Sequence, residues 1–128
     1  LVKLVERVGN VQWILDEAHD LGVIGNKGAG LAQKEDVEND IFARVVTFGK
    51  GLGCHGAAIL GSEDLKEYLI NYARSFIYTT ALPEHSLRAI SNAYLMLNKR
   101  EDAVSRLSYI IAFFNKLVLA TGLRLFFR

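Results

Sequence analysis

Lys50 stands in Val45-Val46-Thr47-Phe48-Gly49-Lys50-Gly51-Leu52-Gly53, a β-branched run that ends in a lysine held between glycines. A lysine in a tight turn just past a strand end has little to pack against, and flanking glycines let another molecule approach the backbone closely. That is how an amine is presented for Schiff-base chemistry. Upstream, Ile14-Leu15-Asp16-Glu17-Ala18-His19 is a second apolar run that ends in an acid and an imidazole. Asp16 could pair with a protonated ring nitrogen, and His19 could bond a phenolic oxygen or shuttle a proton. Thr47, at the end of the second run, could offer its hydroxyl to a phosphate oxygen. Asp16, His19, Thr47 and Lys50 therefore suit one flat, anionic, nitrogen-containing ring. Each also has a plainer reading: Lys50 as a surface lysine, Asp16 as a turn cap, His19 as the partner of a loop carbonyl.

Other motifs in the chain carry less. Asp16-Glu17-Ala18-His19 spells the acid box of one helicase group, but no G-x-x-x-x-G-K-[ST] loop is present to cradle a nucleotide's phosphates. Gly51-Leu52-Gly53-Cys54-His55-Gly56 matches G-x-G-x-x-G, yet the residues after it read as a strand where the dinucleotide fingerprint needs a helix. His55 and His85 are read as structural, Cys54 as a small buried side chain, and no spacing of these residues suggests a metal site.

The elements that must position the candidate residues are read from periodicity. Apolar residues at 1, 4, 5 and 8 predict one helical face, with Gly9-Asn10 as its stop. Residues 11–15 read as a central parallel strand covered on both faces. Glycines 22, 25, 28 and 30 predict a tightly turning loop that continues through 33–40. Residues 42–48 form a second strand and 55–60 a neighbouring third one, ending at Gly61. Ser62 caps a helix whose apolar face is Leu65, Leu69, Tyr72 and Ala73. Residues 76–80 read as a short strand. A helix from Pro83 to about Asn98 then turns Leu87, Ile90, Ala93, Tyr94 and Leu97 inward, and a last long helix runs from Arg100 to about Thr121.

Composition bounds the partners. The 128 residues suffice for one domain, and a globular domain of this size buries roughly two thirds of its unfolded surface. With 15 basic and 14 acidic side chains and no basic run, nucleic acid is not the expected partner. One cysteine forms no internal disulfide, which fits a reducing cytoplasm. The apolar stretch Tyr109-Ile110-Ile111-Ala112-Phe113-Phe114 and Leu117-Val118-Leu119 is interrupted by Asn115 and Lys116, so we expect a helix buried by other protein and no membrane span. A chain that opens on a helix tail without Met and stops at Leu125-Phe126-Phe127-Arg128 reads as a piece of a longer protein.

Four motifs in order carry a resemblance: Asp16-Glu17-Ala18-His19; Gly22-Val23-Ile24-Gly25 with Gly28-Ala29-Gly30; Thr47-Phe48-Gly49-Lys50; and Phe76-Ile77-Tyr78-Thr79-Thr80-Ala81-Leu82-Pro83. From about residue 11 to about 98 the chain resembles the α-oxoamine synthases, pyridoxal-phosphate enzymes of the aspartate aminotransferase fold type. The resemblance implies an α/β fold: the central part of a fold-type I large domain over residues 1–98, then a long helix and the truncated start of the small domain over 99–128. It implies that Lys50 forms the Schiff base with pyridoxal 5'-phosphate, Asp16 pairs with the pyridinium nitrogen and His19 bonds the phenolic oxygen. Ala18 would pack on the ring, Thr47 would bind the phosphate, and Thr80, with Thr79, would reach the phosphate held by the other subunit of a homodimer. Departures from the family pattern fall at Ala29, Gly51 and Glu84, none of them a chemical position.

The activity implied is a decarboxylative condensation of an amino acid with an acyl-CoA to an α-aminoketone. Alanine with a pimeloyl thioester, as in biotin biosynthesis, is the first expectation, and glycine with acetyl-CoA the second. The alternatives are a class I/II aminotransferase of the same fold and a non-catalytic fragment of such an enzyme. The family's glycine-rich phosphate turn, its ring-stacking residue and its carboxylate-binding arginine have no counterpart here, because Arg124 and Arg128 come too early in the order of segments for that last role.

Overall fold

The computed structural model describes Val5, residues 7–99 and residues 101–122. Val5, Arg7 and Val8 are helical, and the chain then leaves the helix through Gly9 and Asn10, both at positive φ, with the Gly9 amide donating to the Val5 carbonyl. This is the glycine stop expected from the sequence. The remainder of that predicted helix, like Arg124 and Arg128, lies outside the described residues.

Three strands form one sheet in the order β1 (Ile14–Asp16), β2 (Ala43–Thr47), β3 (Ala57–Gly61). β1 runs parallel to β2, with Asp16 opposite Val45, and β3 runs antiparallel to β2. β2, the central strand, is the one whose apolar residues are covered: Val46 is buried, and it joins Leu21 and Phe48 in a core flanked by Leu52, Cys54, Ala58 and Ile90. Among the described residues β1 is not covered on both faces as expected. It begins at Ile14, not at residue 11, and has one hydrogen-bonded neighbour among the described residues, so Ile14 remains 64% exposed. A continuous apolar run reports what a strand is able to bury; the number of neighbours decides what it does bury.

Between β1 and β2 the glycine loop forms as predicted, with Gly22, Gly25, Gly28 and Gly30 all at positive φ and a 3₁₀ turn at Asn26–Gly28. The stretch read as more loop instead contains α1 (Leu31–Lys34), whose Ala32 is buried.

β3 leads into α2 (Glu63–Tyr72). Its cap is the predicted one, with Ser62 Oγ accepting from the Leu65 amide at 3.2 Å. The proposed strand at 76–80 is absent: residues Arg74–Ile77 form the short helix α3, and Tyr78 beyond it is 84% exposed. A five-residue aromatic and β-branched run has no periodicity to separate strand from helical turn. α4 (Glu84–Lys99) follows Pro83 as predicted. Ile90, Ala93 and Leu97 turn inward, and Tyr94 meets Phe48 edge to face at 6.1 Å, but Leu87 is 54% exposed.

α5 (Glu101–Ala120) is the long final helix. Over Asp102–Ala120 it is long and apolar enough to cross a bilayer by length and composition, and almost none of that stretch is covered by the rest of the chain. Buried side chains lie in residues 17–48, while Tyr109, Ile110, Phe113, Phe114, Leu117 and Leu119 are exposed. The burial expected of a self-contained domain of this length is therefore not reached.

Candidate active site

Because β1 and β2 are parallel, their C-terminal ends emerge at the same edge of the sheet, where an open α/β sheet places its ligand. Asp16 ends β1 and Thr47 ends β2. The Glu17 amide extends the pairing by donating to the Val45 carbonyl at 2.8 Å, and Thr47 Oγ1 then donates to the Ala18 carbonyl at 3.2 Å. The two strand ends are thus stitched together one residue beyond the sheet.

Asp16 Oδ1 accepts from the Ala18 amide at 2.9 Å, an Asx-type turn that fixes the carboxylate at the strand end. Oδ2 makes no hydrogen bond with the described residues, which leaves an acceptor facing outward on an exposed side chain. Ala18 is buried. His19 comes next, at the exposed mouth of the site.

Lys50 lies in the loop from β2 to β3. Its carbonyl accepts from the Gly53 amide at 3.1 Å, and the Cys54 amide returns to the Phe48 carbonyl at 2.7 Å. Gly53 at φ +64° allows that reversal. The turn delivers Lys50 Nζ to the His19 ring, 2.8 Å from Nε2 and 3.2 Å from Nδ1. An ammonium donates to whichever ring nitrogen carries the lone pair, so His19 anchors the lysine at this edge.

The geometry thus assembles Asp16, Ala18, His19, Thr47 and Lys50 from two sequence segments. It does not bring in Thr79 and Thr80, which are exposed on the link between α3 and α4. Thr47 has a partner the sequence did not suggest, since its proton is held by the Ala18 carbonyl. Cys54 is half-buried with Sγ near the Leu52 carbonyl, and His55 and His85 are exposed. Among the described residues no cluster of His, Cys, Asp or Glu could hold a metal ion.

Two residues at this edge, Glu17 and Arg44, are not evident from the sequence motifs. Glu17 is fully buried, with Oε1 accepting from the Ala32 amide at 2.8 Å and Oε2 meeting Arg44 Nε and Nη2, each at 2.6 Å. Arg44 Nη2 also donates to the Ala29 carbonyl at 3.2 Å, and Nη1 to Glu38 Oε1 at 3.1 Å. The available signal was an arginine inside an otherwise apolar strand, which must find an anion on the covered face.

The family model of aminotransferase class I and II matches residues 1–124. The chain belongs to this family. Among its relatives, 8-amino-7-oxononanoate synthase of Emericella nidulans is 45% identical over 118 residues, which is 88% of this chain and 29% of that protein. The Citrobacter koseri enzyme of the same name is 39% identical over 100 residues, 78% of this chain and 26% of its own length. The crystal structure of 8-amino-7-oxononanoate synthase from Francisella tularensis matches with a TM-score of 0.78 and 39% identity, over 85% of this chain and 33% of that one. Serine palmitoyltransferase from Sphingomonas wittichii matches with a TM-score of 0.67 and 27% identity, over 75% of this chain and 24% of that one.

The α-oxoamine synthase resemblance and the fold-type I architecture are thereby shown. The chain spans less than a third of the length of the curated relatives it matches.

Proposed function

We propose that these residues are the lysine half of the active site of a pyridoxal-phosphate-dependent acyltransferase, which condenses an amino acid with an acyl-CoA and releases CO₂ and CoA. One observation carries the reading: in a chain of this family, Lys50 Nζ rests on His19 at the strand edge where Asp16 presents an unshared carboxylate oxygen. The donor set suits the cofactor, with an amine for its aldehyde, an anion for its ring nitrogen and a small buried residue, Ala18, beneath a planar ring. Bound pyridoxal phosphate supplies an electron sink for the bond broken at the substrate's Cα.

The chain's own groups do the rest. Asp16 Oδ2 would accept a hydrogen bond from the protonated ring nitrogen and so keep the proton there and the ring cationic. His19, in contact with Lys50 Nζ, would bond the cofactor's phenolic oxygen or shuttle a proton. Thr47, whose hydroxyl is held by the Ala18 carbonyl, would be the residue to bind the phosphate. Thr79 and Thr80 would reach the phosphate held by a second copy in a homodimer; their exposure on the α3–α4 link supports this.

The relatives' names favour alanine with a pimeloyl thioester, hence biotin biosynthesis, over glycine with acetyl-CoA. A cytoplasmic location fits the single free cysteine, Cys54. We place a domain division between residues 98 and 99, next to where α4 gives way to α5, and assign the apolar face of α5 to contact with other protein, with Asn115 and Lys116 breaking its apolar run.

The test uses the full-length protein. Lys50→Ala abolishes both the cofactor's Schiff-base absorbance and borohydride trapping at this position, and an unchanged spectrum removes Lys50 from the mechanism. Release of CoA from a panel of amino acids and acyl thioesters identifies the substrates. Amino-group transfer to an oxo acid with no CoA released would assign the protein to the aminotransferases instead.

A further inference from the structure

We propose that Glu17 is a positioning residue for the site, acting through the glycine loop on the turn that carries Lys50; this rests on the functional reading above. Asp16 and Glu17 are consecutive at a strand end, so their side chains leave opposite faces of the sheet. Asp16 faces the site. Glu17 is buried behind it, where its carboxylate ties the Ala32 amide to the Arg44 guanidinium, and Arg44 in turn holds the Ala29 carbonyl.

From that carboxylate a series of backbone contacts, almost without side chains, runs to Lys50. A Cβ on Gly30 would stand 2.6 Å from Glu17 Oε1, so the loop lies directly on the carboxylate. A Cβ on Gly28 would stand 2.7 Å from Gly22 Cα, and the Gly22 amide donates to the Gly28 carbonyl at 2.8 Å. A Cβ on Gly22 would meet the Gly51 backbone at 3.3 Å, and one on Gly51 would collide with the Leu21 carbonyl. Gly51 is the residue after Lys50. Contacts between bare backbones have no side-chain torsions with which to absorb a displacement, so a shift at Glu17 reaches the lysine turn.

Stability alone does not account for the pair. Buried ion pairs replaced by apolar groups of matched shape are often no less stable. What the charged pair adds is direction: one carboxylate fixes the distance between β1, β2 and the loop at hydrogen-bond length. The Glu17→Gln variant keeps an acceptor for the Ala32 amide while losing the charge that holds Arg44.

Three measurements on the full-length protein test this. First, wild type must trap at Lys50 with borohydride; if it does not, the functional reading fails whatever Glu17 does. Second, in cofactor-free protein, Glu17→Gln should speed amide hydrogen exchange at Ala32 and also at Gly53, which is bonded to the Lys50 carbonyl. Third, in the loaded enzyme kcat should fall about 10- to 100-fold, with KM for the amino acid nearly unchanged, and the pH midpoint of the cofactor's absorbance should move by about half a unit. Faster exchange at Ala32 alone, with midpoint and kcat as in wild type, would overturn the proposal. If Glu17→Gln does not fold, the paired Glu17→Leu, Arg44→Leu variant is read the same way, and failure of both to fold makes Glu17 a purely structural residue and also overturns it.

Discussion

At the residue scale, the site works by dividing charges between the two faces of one strand end. Asp16 keeps one oxygen in its own turn and offers the other outward, while Glu17 turns both oxygens inward to Ala32 and Arg44. Two neighbouring carboxylates therefore do different work, and exchanging their roles would need the strand to shift by one residue. Asp16→Asn in the full-length protein should leave the cofactor bound, because Lys50 remains, but should slow exchange of the substrate's α-proton by orders of magnitude, since a ring without its proton is a poor electron sink. Proton exchange at the wild-type rate, followed by NMR in deuterated water, would refute the role of Asp16. The motif residues of this site were legible because each carries its chemistry in its type. The contact between Lys50 and His19 was not, since it depends on the path of the 49–56 loop.

At the element scale, β2 governs the architecture. It is paired on both sides, it supplies Val46 to the core, with Phe48 added just past its end, and it delivers Thr47 and Lys50 to the site edge. α4 closes over this core through Ile90 and Tyr94, and the partial burial of Tyr94 raises its phenol pKa above the usual value of 10.0, opposed by the Arg44 charge. A phenol whose folded pKa lies above its unfolded one stabilises the fold fully below the unfolded value and loses that contribution as pH rises through the folded value. Wild-type protein should accordingly lose stability above about pH 10 more steeply than Tyr94→Phe, a comparison made by denaturant titration at several alkaline pH values. Parallel curves for the two proteins would show that Tyr94 does not contribute. Strong periodicity made α4 and α5 readable, and Ser62 announced α2. The run at 76–80 misled because it is too short for a period, and a strand exists only where another strand accepts it.

At the scale of the whole molecule, the exposed apolar residues dominate. α5 shows Tyr109, Ile110, Phe113, Phe114, Leu117 and Leu119, and α2 to α3 show Tyr68, Tyr72, Phe76 and Tyr78. Apolar surface on this scale is characteristic of faces that contact other protein or lipid. The 128-residue chain by itself should bind a hydrophobic dye strongly, self-associate in sedimentation, and give no borohydride-trapped adduct with pyridoxal phosphate. A monomer that binds no dye and is trapped at Lys50 would contradict both expectations, because it would mean that these residues complete a cofactor site without any further protein.

The sequence by itself determined the chemistry on offer: an acid and an imidazole after one strand, a hydroxyl and a lysine after the next, and glycines at 22, 25, 28 and 30 where the loop turns left-handed. Side-chain type and short-range spacing are enough for that, since they act within a few residues. Only the tertiary structure decided that β2 would be the strand paired on both sides, that Glu17 and Arg44 would share a buried ion pair, and that Gly22, Gly28, Gly30 and Gly51 would stack between that pair and Lys50. Those are meetings of residues far apart in the chain, and they are fixed by which neighbours a strand or loop finds, a property that no local pattern carries.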